Sequence, residues 1–157
     1  MVELTCIVPA YNEAALDSVL DGLRGVLDGL TDYEILVVDD GSEKPVESDA
    51  ATVIRHPHNM GYGAALKTGL LKASGERVLI VDADGTYPLE SIPQLLDSDF
   101  DMVVGARIGE NVHIQLYRRP AKWLLTQLAN YLSGTRIPDL NSGMRVFSRE
   151  RALRISC

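Results

Sequence analysis

Arg77-Val78-Leu79-Ile80-Val81-Asp82-Ala83-Asp84-Gly85 is the stretch that decides the fold. Its apolar run has no polar face, so it reads as a short strand, Arg77 to Val81, buried on both sides. It stops at two acids one residue apart and a glycine, a turn sequence. The same arrangement occurs twice upstream. Val2 to Val8 is apolar and partly β-branched, ends at Pro9, and is followed by Tyr11-Asn12-Glu13. Glu34 to Val38 ends at Asp39-Asp40-Gly41-Ser42. Thr52 to Arg55, Asp101 to Ala106 and Ser142 to Phe147 read as further strands. Between the strands, Leu16, Val19, Leu20, Leu23, Val26, Leu27 and Leu30 recur at helical spacing, with Asn12 or a neighbour as the expected cap. Ala64 to Ala73, Pro88 to Leu96, Arg118 to Ser133 and a stretch from Ser148 are the other expected helices. Strand and helix alternate five times. That pattern predicts a single α/β domain with a mostly parallel sheet and helices on both faces. In such a sheet the carboxyl ends of the strands share one edge, where ligands bind. The three polar clusters should therefore meet in one crevice.

The bulk properties agree with a globular domain. The chain has 157 residues, 46 % apolar and 24 % charged. No apolar run approaches the roughly 20 residues that span a bilayer. No signal peptide is visible, so the expected location is cytoplasmic. The two cysteines, Cys6 and Cys157, make neither a disulfide framework nor a metal cluster. Net charge is −7 but unevenly spread: −13 over residues 1–106 and +6 over residues 107–157. The acidic first part argues against nucleic-acid binding. The basic remainder is either ordinary surface charge or a region facing an anion, such as a phosphate or an acidic membrane surface.

Asp82 and Asp84 carry the sharpest chemical signal. Two carboxylates so close repel each other unless a cation joins them. A hard divalent ion, Mg²⁺ or Mn²⁺, satisfies both and keeps positions open for substrate phosphates. The same residues also suit a plain Asp-rich turn. Asp40 lies in another such turn, yet a carboxylate at a strand end can accept from a ribose hydroxyl or a base N–H. Pro9-Ala10-Tyr11-Asn12-Glu13 offers an aromatic face beside a carboxylate, which suits a nucleobase. Asn59-Met60-Gly61-Tyr62-Gly63-Ala64 is superficially a dinucleotide loop, but position 66, where a third glycine is needed, holds Leu66. Its small residues are expected to be structural, letting a helix approach the sheet.

Taken in order, the segments Ile7–Glu13, Val37–Ser42, Asn59–Ala64, Asp82–Pro88, Val104–Arg107 and Asp139–Phe147 resemble glycosyltransferase family 2, of GT-A type, and within it the polyprenol-phosphate sugar transferases. The resemblance covers essentially the whole chain. It implies a Rossmann-like nucleotide-diphospho-sugar transferase domain that uses Mg²⁺ or Mn²⁺. Pro9, Ala10, Tyr11 and Glu13 would line the nucleobase pocket, with Val38 and Asp40 holding base or ribose. Asp82 and Ala83 would contact the nucleotide. Asp84 would coordinate the metal on the diphosphate, with Asp82 as the second carboxylate. Arg107 and Arg118 would receive anionic phosphate in catalysis. Two departures stand out. Such relatives often carry Gln two residues after the second acid, where this chain has Thr86. Their domain also normally continues well past the Ser-Gly-x-Arg-x-Phe segment, so 1–157 is expected to be an incomplete catalytic domain.

The implied reaction is inverting transfer from a nucleoside-diphosphate sugar. A hydroxyl acceptor would need a general base. Hydroxyl-using relatives commonly show an acidic pair where this chain has the single Asp139. A lipid phosphate is already ionised and needs cations instead. Arg107, Arg118, Arg119 and Lys122 supply them. A polyprenol-phosphate acceptor is therefore the favoured reading, as in cell-envelope or glycan synthesis. Trp123, Leu124, Leu128 and Tyr131 read as a core-packing face or as an interfacial helix bringing the domain to the cytoplasmic face of a membrane. The alternatives are a hydroxyl-acceptor transferase or an inactive nucleotide-sugar-binding module. A nucleotidyltransferase fits less well, because Pro9–Glu13 holds neither Gly nor Lys or Arg where that class has a Gly-rich basic loop.

Overall fold

A computed structural model of the chain describes residues 2–98, 100–105, 127, 131 and 142–156. The chain divides into two compact units, Met1–Val104 with Gly143–Cys157, and Gly105–Ser142. In the second unit the Ser142 hydroxyl donates to the Gly105 carbonyl, and Gln127 and Tyr131 are helical.

The first unit holds the sheet. Its elements run β1 (Leu4–Ala10), α1 (Leu16–Leu27), β2 (Tyr33–Asp39), β3 (Thr52–Arg55), α2 (Tyr62–Lys72), β4 (Arg77–Ile80), a 3₁₀ turn (Leu89–Ser91), α3 (Ile92–Leu96), β5 (Met102–Val104), β6 (Arg145–Ser148) and α4 (Arg149–Ser156). The strand order is β3-β2-β1-β4-β6-β5. β1 pairs in parallel with β2 and β4, and β2 with β3, with Ile7 opposite both Leu36 and Ile80. β6 alone runs against its neighbours, β4 and β5. The sheet is thus mixed and mostly parallel.

Burial on both faces follows from strand alternation. Leu4, Cys6, Val8, Ile35, Val37 and Leu79 pack on one side with Leu16, Val19, Leu20, Leu23 and Leu27 of α1 and with Ile92 and Leu95 of α3. Ile7, Leu36, Val38, Val78 and Ile80 pack on the other with Ala65, Leu70 and Ala73, and with Leu153 of α4. Each fully buried leucine of α1 contributes about 1.5–3 kcal/mol by leaving water. The Cys6 thiol lies in this core, where burial pushes its pKa far above the usual thiol range.

Three expectations need correction. Asn12 does not cap α1: the helix starts after Ala15 with no side-chain cap. Instead Asn12 sits at a φ of 55°, its N–H donates to Ser42 Oγ at 3.0 Å, and its Oδ1 accepts from Glu43 N–H at 2.9 Å. It ties the loop after β1 to the loop after β2. Leu30 lies beyond the helix end and is exposed, because Gly29 turns the chain at a φ of 77°. Close approach of a helix to the sheet is real, but not at Gly61 or Gly63, where an added Cβ would meet nothing within 4 Å. It occurs a turn or two later, where a Cβ at Gly69 would come within 2.6 Å of Ile7 Cγ2. Among the described residues no helix is long and apolar enough to cross a membrane.

Candidate functional site

β1 lies between β2 and β4, so the chain leaves it toward one side and later returns on the other. A crevice opens at such a switch point, beyond the carboxyl ends of the strands. Here it has a volume of about 380 Å³ and is lined by Pro9, Ala10, Tyr11, Glu13, Asp40, Asn59, Gly61, Tyr62, Ala65, Asp82, Ala83 and Asp84. Eight of these are residues picked out in the sequence. They come from the ends of β1, β2 and β4. Tyr11 is 45 % exposed, which leaves an aromatic face free for a planar ligand. Val38 is not in the wall. Its side chain is fully buried in the α2-side core, because alternation along β2 turns it away, so any ligand contact it makes is through its backbone. Arg107, Arg118, Asp139 and the Trp123–Leu128 stretch lie outside the described residues, apart from Gln127.

The two aspartates at the end of β2 differ in role. Asp39 is fully buried and structural. It accepts from Ser42 N–H at 2.9 Å, Val46 N–H at 3.2 Å and Arg55 Nη1 at 2.5 Å. Asp40 reaches the crevice and accepts from His56 Nδ1 at 2.7 Å, Met60 N–H at 2.9 Å and Gly61 N–H at 2.8 Å. Burial alone would raise both pKa values. The hydrogen bonds outweigh it, and both carboxyls are held below the usual range.

The carboxylates of the Asp82-Ala83-Asp84 pair also part company. Asp82 is half-buried, and its Oδ1 accepts from the Tyr62 hydroxyl at 2.9 Å. Burial, then the Asp82 charge, push the Tyr62 phenol well above its ordinary range. Gly143 lies hard against Asp82: a methyl group there would overlap the carboxylate. The Gly143 N–H donates to the buried Tyr87 hydroxyl, which locks this segment to the turn after β4. Asp84 is exposed. Its Oδ1 takes the Thr86 N–H at 3.0 Å and the Thr86 hydroxyl at 2.8 Å, and Oδ2 accepts nothing among the described residues.

That donor set fits a metal borne by substrate. Among the described residues no cluster of three or more His, Cys, Asp or Glu forms a protein cage. One open carboxylate oxygen over a crevice suits Mg²⁺ or Mn²⁺, which draws its other ligands from phosphates and water. Asp84 would hold such an ion, with Asp82 beside it. Bound there, the ion would act as a Lewis acid on a diphosphate.

Asn59, Gly61 and Tyr62, expected to be structural, and Ala65, from the helix that follows, complete the wall. The signal that could have found them is Asn59-x-Gly61: a polar residue and a positive-φ glycine opening a helix.

Comparison with known proteins agrees with this geometry. The family model described as glycosyl transferase family 2 matches residues 5–154. The low-salt glycan biosynthesis hexosyltransferase Agl6 of Haloferax volcanii is 28 % identical over 98 % of this chain and 40 % of its own length. A dolichyl-phosphate hexose transferase of the same organism is 30 % identical over 94 % of this chain and 67 % of its own length. The human dolichyl-phosphate beta-glucosyltransferase is 27 % identical, with 97 % and 56 % covered. The chain thus spans between two fifths and two thirds of these relatives. Among solved structures, glucosyl-3-phosphoglycerate synthase of Mycobacterium tuberculosis with uridine diphosphate superposes with a TM-score of 0.73 at 28 % identity, covering 95 % of this chain and 57 % of that one. The same enzyme with Mn²⁺ and UDP-glucose gives 0.71 at 26 % identity, with the same shares covered. With nearly its whole length matched and its sheet shared with a GT-A enzyme, the chain belongs to glycosyl transferase family 2.

Proposed function

We propose that this chain forms the nucleotide-sugar-binding part of an inverting glycosyltransferase that moves a sugar to a polyprenol phosphate with the help of Mg²⁺ or Mn²⁺. The observation that carries the reading is the crevice at the strand ends. It gathers the exposed ring of Tyr11, the hydrogen-bonded carboxylate of Asp40 and the exposed carboxylate of Asp84 in one place. Tyr11 and Glu13 would take the base, Asp40 the base or ribose, Asp82 and Ala83 the nucleotide, and Asp84 the metal on the diphosphate. The acceptor oxygen would attack the anomeric carbon opposite the departing diphosphate. The protein's part is to hold the two in line and to offset the charge growing on the leaving group.

The lipid-phosphate acceptor is supported by the +6 charge of residues 107–157, by the lone Asp139, and by the relatives named for dolichyl phosphate. Arg107 and Arg118 would bind it, at the cytoplasmic face of a membrane. A second reading, with a hydroxyl acceptor, is favoured by the likeness to glucosyl-3-phosphoglycerate synthase, solved with phosphoglyceric acid. Asp139→Asn separates the two. An ionised phosphate has no proton to give up, so the transfer rate of the protein carrying this chain should change little at saturating donor and acceptor. Loss of a general base would cost about 10²–10⁴-fold, and a drop of that size with folding intact would promote the hydroxyl reading.

A further inference from the structure

Asp40 is only 4 % exposed, yet it forms part of the crevice wall. An ionised carboxylate has about four acceptor positions. Two on Oδ1 are filled by His56 Nδ1 and Met60 N–H, and one on Oδ2 by Gly61 N–H. One position on Oδ2 is left. Among the described residues, His56 is the one side chain that donates to Asp40. The ring is itself buried, 6 % exposed, and its Nε2 lies 2.8 Å from Thr68 Oγ1 on α2. The ionised carboxylate only accepts, so the ring proton sits on Nδ1. With the ring neutral, Nε2 accepts from the Thr68 hydroxyl. Thr68, His56 and Asp40 therefore form one hydrogen-bonded chain from α2 to the crevice, with the imidazole held at both nitrogens.

We propose that His56, held by Thr68, is a positioning residue for the donor nucleotide, fixing the Asp40 carboxylate so that its remaining acceptor position takes a ring N–H of the base. The inference rests on the reading of the crevice as a nucleoside-diphosphate site. It has a consequence that simple occupancy does not. Uracil presents an N–H at N3 where cytosine presents a lone pair, and guanine presents an N–H at N1 where adenine presents a lone pair. An acceptor-only group attracts the first of each pair and repels the second. Discrimination needs the carboxylate held at a fixed angle. Removing the imidazole leaves the charge and the two backbone donors but takes away the one side-chain anchor, so the carboxylate can turn and affinity for the preferred base falls toward that for its counterpart.

The test is calorimetric titration of the full chain with UDP, CDP, GDP and ADP in Mn²⁺. In the wild type, the N–H base of whichever pair binds should be favoured over its counterpart by about ten- to a hundredfold. His56→Leu should bring that ratio to within about threefold. His56→Asn, which keeps an N–H donor near the Nδ1 position, should restore it. Thr68→Val should lower the ratio as well, and it stands in if His56→Leu fails to fold. A purely structural histidine would lower thermal stability and leave the ratio alone. A folded His56→Leu or Thr68→Val chain with the wild-type ratio would overturn the inference, as would a wild type that prefers cytosine or adenine. A wild type that binds none of the four nucleotides would overturn the donor-site reading itself.

Discussion

Asp39 and Asp40 are adjacent, both nearly inaccessible, and do different work. Asp39 closes the turn after β2 by accepting from Ser42, Val46 and Arg55, while Asp40 faces the crevice. Both have carboxyls held below their usual range by hydrogen bonds that outweigh burial. A depressed folded-state pKa gives stability that is present above the unfolded value of about 3.9 and is lost as pH falls through the folded value. Asp39→Asn should therefore cost about 1–3 kcal/mol near neutral pH, the worth of hydrogen bonds to a charged group. The gap to the wild type should narrow steadily below about pH 4. Urea midpoints measured at pH 7 and near pH 3 check this. A gap of the same size at both would show that the charge of Asp39 contributes nothing. At this scale the sequence reveals chemistry but not partners. Asp82 and Asp84 look alike on paper, and only the fold shows Asp82 held by Tyr62 while Asp84 stays open.

Among the elements, the loop after β2 and the loop before α2 are pressed together. Gly41 sits at a φ of 77°, and a Cβ there would come within 2.5–2.7 Å of the backbone at His58 and Asn59. Gly41→Ala combines a left-handed strain of about 1–3 kcal/mol with a backbone clash. It should destabilise the chain by at least about 2 kcal/mol in chemical denaturation, and it should shift Asn59 and Gly61 in the crevice wall. Stability within about 0.5 kcal/mol of wild type would contradict the close approach. The strands were legible in the sequence because each is a short apolar run ending in a turn: Thr52–Arg55 is found as expected, and the others differ by a few residues at their ends. The buried face of α1 was legible from its spacing, up to the turn at Gly29. The wall formed by residues 59–65 was not. Its meaning depends on hydrogen bonds to Asp40, twenty residues back, and no local pattern encodes a partner at that distance. Asn12 was misread for the same reason, since its partners are Ser42 and Glu43 rather than its own helix.

For the whole molecule, three strand ends and one helix entry build a single crevice, the one proposed above to take a nucleoside diphosphate with a divalent ion. Sequence order alone pointed to this convergence, because a parallel sheet sends every strand's carboxyl end to one edge. The proposed donor site can be tested on this chain directly. Thermal unfolding is followed with a panel of uridine and guanosine diphosphate sugars, in Mn²⁺ and in chelator, for the wild type and Asp84→Asn. At a hundredfold excess over Kd, a matching nucleotide sugar should stabilise the wild type by about 2.7 kcal/mol, or roughly 5–10 °C for a chain of this size. Chelator should abolish the shift, and Asp84→Asn should remove most of it. An equal shift with and without metal, or no shift with any nucleotide sugar in the panel, would contradict the account.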